Sequence, residues 1–299
     1  MSRPSTTTHR RRADIVLRQP TSEDAAACGR IIYDAFKGIA ERHGYEPDFA
    51  SVDMAIGFAK MFIGYPAIFG VVAEADGRVV GSNFLDERDA IRGVGPITVD
   101  PQWQRGGVGR QLMQAVLERG RGAAGIRLLQ DAHNMTSLSL YASLGFDVRE
   151  PMMLMRGTPA DRPPAGLEVR PMRPDDLDAC AALCTRVHGF ARANELRDAI
   201  AHSSPFVAVR EARVVGYASA PTLWVANHGV AESQDDLRGL LAGVGAVIDE
   251  PLWLLVPTRQ TDLLRWCLRQ GLRGQKSMTL MTIGAYQDPR GGYFPSVAY

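Results

Sequence analysis

The six residues Gln104-Arg105-Gly106-Gly107-Val108-Gly109 constrain this chain more than any other stretch. They follow an apolar run, Gly95-Pro96-Ile97-Thr98-Val99, and lead into a helical pattern from Val108 to Arg119. Strand, glycine turn and helix in that order form an anion cradle. Glycine lets the backbone come close, and the first N–H groups of the helix then point at one charged group. A P-loop is excluded, because Gly109 is followed by Arg110 and Gln111 and not by Lys and Ser or Thr. A dinucleotide fingerprint is excluded as well, because Leu112 stands where its third glycine belongs. Many glycine turns only reverse the chain, so the reading depends on what accompanies this one.

The companion is Asn134 to Phe146, an Asn followed by a short helical pattern and Gly145-Phe146. Leu138, Tyr141 and Leu144 lie three apart on one helical face, so Tyr141 reads either as a core aromatic or as a working phenol. The two segments, in this order and at this spacing, resemble the GCN5-related N-acetyltransferases (GNAT) over roughly residues 14–156. The resemblance implies acetyl-CoA as co-substrate and no metal. It implies that the strand Ile97, Thr98 and Val99 pairs with the pantetheine arm, and that the Val99 N–H polarises the acyl carbonyl. Gln104, Arg105, Gly106, Gly107, Val108, Gly109 and Arg110 would hold the pyrophosphate. Asn134 would bond the arm or position the next helix, and Tyr141 would protonate the departing thiolate.

The implied activity is transfer of an acetyl group from the thioester to a primary amine, by direct attack, on a small-molecule acceptor. The alternative is a non-catalytic acyl-CoA-binding regulatory protein. An alkylammonium has a pKa of about 10 and must lose a proton before it attacks. Ile91 to Val99 carries no Asp or Glu to take that proton. Candidates for the base are Asp86 and Glu87 after the third strand, and Asp131 and His133 at the end of the fifth.

A length of 299 residues suits two domains, and 45% hydrophobic with 22% charged residues describes a globular chain. The net charge of +1 gives no field for nucleic acid or an anionic membrane. Arg105, Arg110, Arg119, Arg121 and Arg127 cluster along the sequence around the loop and its helix, which suits a polyanionic ligand, although Arg119 and Arg121 fit an ordinary solvated helix face equally well. The four cysteines and six histidines lack metal-ligand spacing. Cys180 and Cys184 are expected on one buried helical face. No apolar stretch reaches membrane-spanning length. Residues 1–12 have no apolar core and read as a disordered leader of a cytoplasmic protein. Monomer and homodimer both remain open.

Strands are expected at Ile15–Arg18, Ile68–Glu74, Arg78–Leu85, Ile91–Val99, Ile126–Gln130 and Phe146–Met155, and helices from Thr21, over Ser51–Phe62 and from Val108. Residues 157–166 are linker by composition. The pattern then restarts: Leu17-Arg18 answers Val169-Arg170, Glu23-Asp24 answers Asp175-Asp176, Cys28 answers Cys180, and Met152–Met155 answers Met278–Met281. The expected fold is α/β (α+β): two tandem GNAT-like domains, each a mixed, mostly antiparallel sheet flanked by helices. The first (13–156) would hold the cofactor. The second (167–299) would be degenerate, with acids in Ala231–Leu237 where a glycine loop belongs and Trp266 in the place of Tyr141. The aromatic tail Ala285–Tyr299 is expected to pack, either on its own domain or in the first domain's cleft, where the Tyr299 carboxylate would take a proton.

Overall fold

The computed structural model describes residues 14–297. The leader and Tyr299 lie outside the described residues. The first half runs β1 (Val16–Arg18), α1 (Ala25–His43), α2 (Val52–Gly64), β2 (Ile68–Ala75), β3 (Arg78–Asp86), β4 (Ile91–Val94), β5 (Thr98–Val99), α3 (Val108–Arg119), β6 (Gly125–Asp131), α4 (Met135–Ser143) and β7 (Asp147–Gly157). The second runs β8 (Glu168–Pro171), α5 (Leu177–His188), α6 (Ala193–His202), β9 (Phe206–Arg210), β10 (Arg213–Ala218), β11 (Gly229–Ala231), α7 (Gln234–Gly245), β12 (Leu252–Pro257), α8 (Thr261–Arg269), β13 (Arg273–Gly284) and β14 (Gly292–Phe294).

The two halves open identically. Arg18 donates to both carboxylate oxygens of Asp24 at 2.8 and 2.9 Å, and Arg170 does the same to Asp176 at 2.7 and 2.8 Å. Each aspartate also accepts from a backbone N–H, of Thr21 or of Arg173, and so caps the turn that starts α1 or α5. Bidentate arginine–carboxylate geometry fixes the angle between strand and helix, and the tandem repeat is built on this copied latch. Cys180 and Cys184 are both buried on α5.

The closing strands are exchanged. One sheet runs β1-β2-β3-β4-β6-β13-β7-β12, with β5 on β3. β13 from the second half pairs with β6 of the first, placing Met278 opposite Asp131. β7 from the first half pairs in turn with β12 of the second. β7 and β13 lie antiparallel side by side, with Met278 opposite Met152. The second sheet runs β14-β11-β10-β9-β8. Ordering a strand inside a foreign sheet is favourable because its apolar residues fill two cores. Burying one Leu or Met contributes about 1.5–3 kcal/mol, and Met281, Leu280 and Met278 on β13 are all buried.

Alternation along β6 separates two faces. Ile126 and Leu128 pack with Leu112, Met113, Val116 and Tyr141 on the α3/α4 side. Leu129 joins a different cluster, with Met278 and Leu280 of β13. α1 and α2 cover the same sheet from the side opposite α3, with Cys28, Ile32, Ala55 and Ala59 around Val72.

Candidate active site

β4 pairs parallel with β6 only from Ile91 to Gly93, opposite Gly125 to Arg127. The chain then turns at Gly95-Pro96 and resumes as β5, whose partner is β3 (Gly81 opposite Val99, Ser82 opposite Thr98). The single strand expected over Ile91–Val99 is therefore two short ones, and Pro96, lacking an N–H, sits in the break. From Leu128 to Asp131, β6 keeps β13 on one side, and a slot opens toward β5 on the other. α3 starts at the mouth of this slot. Its N-cap is Gly107 at φ 88°, with no side-chain cap, so the first-turn amides remain free for an anion. Gln104 ties the loop back by donating to the Val99 carbonyl at 3.1 Å.

Tyr141 is buried among the residues that line the α3/α4 side, edge-on to Phe146 at 6.1 Å between ring centroids. Burial, and secondarily the Asp131 carboxylate, push its phenol well above the ordinary tyrosine value. It stays protonated throughout the neutral range. Asn134 caps α4 by accepting from the Ser137 N–H at 3.3 Å, and the Ser137 hydroxyl donates to Gln130 of β6 at 3.0 Å. The Tyr141 helix is thereby fastened to the strand that borders the slot.

The five arginines do not converge. Arg110 donates to the Ser143 hydroxyl at 2.7 Å, beside the loop, and Arg105 is exposed at φ 65°. Arg119 pairs with Glu87 and Arg121 with Glu118. Arg127 is buried against Phe190, 4.5 Å from the ring centroid. Nor does Glu87 reach the slot. Arg92 and Arg119 hold it at 2.6 and 2.8 Å, at the far end of α3, roughly 18 Å from the glycine loop at 1.5 Å per residue. Asp86 is bound by Arg88 at 2.9 Å.

Asp131 does lie at the slot, on the face away from Tyr141. Lys276 of β13 places its Nζ 2.8 Å from Asp131 Oδ1 and 2.8 Å from Asp48 Oδ1, under the ring of Trp224 at 5.0 Å. Desolvation would discharge this ammonium, but Asp131 and Asp48 more than offset it and raise its pKa. His133 stacks on Tyr45 at 4.6 Å and approaches His43 at 4.7 Å. Asp48, Lys276, Trp224, His43 and Tyr45 escaped the sequence reading. The one available signal was a lysine two and four residues before Met278 and Leu280, on the buried side of β13.

Residues 67–148 match the family model described as "Acetyltransferase (GNAT) domain". The match runs from β2 to the start of β7 and takes in the glycine loop and α4, so this region is similar to the GNAT acetyltransferase domain. It is 30% identical over 105 residues to the mycothiol acetyltransferase of Thermobifida fusca, a match spanning 31% of this chain and 32% of that protein. A candidate acetyltransferase from Pyrococcus horikoshii has the same fold, with a TM-score of 0.74 at 17% identity over 95% of both chains. A tandem GNAT protein from the clavulanic acid biosynthesis pathway superposes with a TM-score of 0.56 at 13% identity, over 93% of this chain and 99% of that one.

In the second half, the helix that corresponds to α3 starts with its own side-chain cap. Ser233 caps α7 by accepting from the Asp236 N–H at 3.1 Å, and Arg210 pairs with Asp236 at 2.7 Å. The tail strand β14 pairs with β11 (Val230 opposite Tyr293). Gln260, at the N-cap of α8 as Asn134 is of α4, donates to the Tyr293 carbonyl at 2.7 Å. Trp266 is buried and donates to Asp161 of the linker at 3.2 Å. β14 thus packs on its own half, while Tyr286 earlier in the tail lies against Arg127 and Arg149 of the first half. Tyr293 also donates its hydroxyl to the buried Glu150 of β7. Tyr293→Phe is expected to cost about 1–3 kcal/mol by leaving that carboxylate short of a partner, with turnover preserved. Urea unfolding and an activity assay on the same protein check it.

Among the described residues, no group of three or more His, Cys, Asp or Glu is placed to hold a metal ion. No described helix is long and apolar enough to cross a membrane.

Proposed function

We propose that the chain is an acetyl-CoA-dependent N-acetyltransferase that moves an acetyl group to a primary amine of a small acceptor. The observation that carries this reading is the conjunction at one slot: an uncapped helix N-terminus after a glycine loop, a strand edge left open by β5, and a buried, protonated tyrosine behind them. The amides of Gly107 to Arg110 fit a pyrophosphate, with Arg105 and Arg110 beside it. The open edge at Ile97–Val99 fits the amide-bearing pantetheine arm, and Asn134 stands at the neighbouring helix start. When bound, acetyl-CoA supplies the activated acyl group. The chain's own residues hold it, polarise its carbonyl through the Val99 N–H, and return a proton to the thiolate from Tyr141. The acceptor enters from the opposite face, where Asp131, Lys276 and Asp48 gather. The second half, proposed to span 167–299, completes that face through Lys276 and Trp224.

One acetyl-CoA is expected per chain, because α7 begins with acids and β14 already pairs with β11. Calorimetric titration should return a single site, and two equivalent sites would contradict this. Gly107→Glu should abolish binding. Its φ of 88° disfavours a side chain, and a carboxylate would meet the pyrophosphate. The second reading, a regulatory acyl-CoA-binding protein, requires the same single site without turnover.

A further inference from the structure

We propose that His133 is the base that takes the proton from the acceptor amine, with Asp48, Lys276 and Asp131 as positioning residues beneath it. This inference rests on the acetyl-transfer reading above. Both ring nitrogens of His133 are shielded from water and have no hydrogen-bond partner, whereas buried polar groups are nearly always bonded. A ring left in that condition two residues beyond the end of β6, the strand that borders the slot, is ready to bond a molecule that enters there.

The other candidates are engaged. Asp86 is held by Arg88, Glu87 by two arginines and Asp131 by Lys276. The location also fits. Tyr141 lies with α3 and α4 on one side of the sheet. His133 lies with His43 and Tyr45, from the end of α1, on the other. Direct attack suits this division, since the amine adds to one face of the thioester carbonyl while its proton acceptor and the donor to the departing sulfur must not compete for the same space.

The charged and titratable groups facing His133 are Asp131 at the end of β6, His43 at the end of α1, Tyr45 just after it, Asp48 beyond them, and Lys276 on β13. Burial holds the imidazole below its ordinary value, with Asp131 opposing and His43 and Lys276 reinforcing the effect. It is neutral at pH 7 and able to accept a proton. In the step, the amine nitrogen forms a bond to the acyl carbon and the C–S bond breaks. Before attack, one proton of the acceptor ammonium passes to a ring nitrogen of His133, and as the C–S bond breaks the thiolate takes the Tyr141 proton. His133 then releases its proton to water and Tyr141 regains the one shed by the new amide nitrogen, leaving amide and CoA thiol.

The test uses the full chain with His133→Gln and His133→Ala, normalised by acetyl-CoA titration so that unfolded protein is not counted. Two nucleophiles are compared on each preparation: the fastest of spermidine, tyramine, glucosamine and lysine, and hydroxylamine, which is already neutral at pH 7. His133→Gln should lower kcat/KM for the amine by roughly 10²–10⁴-fold but for hydroxylamine by less than about tenfold. It should also erase the acid limb of the pH profile below pH 6.5, and imidazole should partly rescue His133→Ala. Equal losses with both nucleophiles, or an unchanged kcat/KM, would overturn the assignment. A wild-type chain that binds acetyl-CoA yet releases no CoA with any amine would instead sink the acetyl-transfer reading, and His133 with it.

Discussion

Tyr141→Phe is expected to lower kcat by roughly 10²–10⁴-fold while acetyl-CoA affinity stays close to that of wild type. The substitution removes only the hydroxyl, and the ring keeps its packing against Phe146 and the α3 residues. Burial pushes this phenol above its ordinary value of 10.0. The proton is therefore present across the whole neutral range, and Tyr141 should produce no alkaline limb below about pH 10. Stopped-flow measurement of the chemical step, with affinity by calorimetry, checks both statements. An unchanged chemical step would make Tyr141 a core aromatic and nothing more.

Lys276→Met should have the largest effect on stability. The residue is 8% exposed, and its ammonium lies 2.8 Å from each of two carboxylates. Removing it leaves Asp48 and Asp131 buried together without a counter-charge, a loss of about 3–5 kcal/mol. Because the lysine pKa is raised above 10.5 in the fold, its stabilisation is fully present through the neutral range. It is lost only as pH climbs through the folded value. Adding Asp48→Asn and Asp131→Asn should recover much of the loss, since no unpaired charge remains buried. Denaturant unfolding of the single and triple variants at pH 7 measures the coupling. A single variant within 1 kcal/mol of wild type would mean that water reaches the cluster.

The first half of the site was legible because its signals are local. The glycine loop, the helix it opens and the Asn134–Phe146 segment each act within a dozen residues, and backbone chemistry dictates their form. The repeat was also legible, since Arg18–Asp24 and Arg170–Asp176 are short-range latches copied with the chain. Strand exchange was not. The alternating pattern of β7 or β13 states which face is buried and is silent on which neighbour provides the hydrogen bonds. The acceptor face depends on that exchange: Lys276 meets Asp48 across 228 positions, and only because β13 enters the first sheet. The arginines show the converse error. Spacing along the sequence placed Arg119, Arg121 and Arg127 near the loop, yet a helix of twelve residues carries its far end away from its start.

The central claim is that a thioester held in this slot is attacked by an amine. The direct measurement is mass spectrometry of the products when the purified full chain is given acetyl-CoA and the panel of primary amines. The expected result is an N-acetylated amine formed in step with free CoA, strongly reduced in the Tyr141→Phe reaction and absent from the Gly107→Glu reaction. Acetyl-CoA bound at one site per chain, with no acetylated amine above the uncatalysed background, would contradict it.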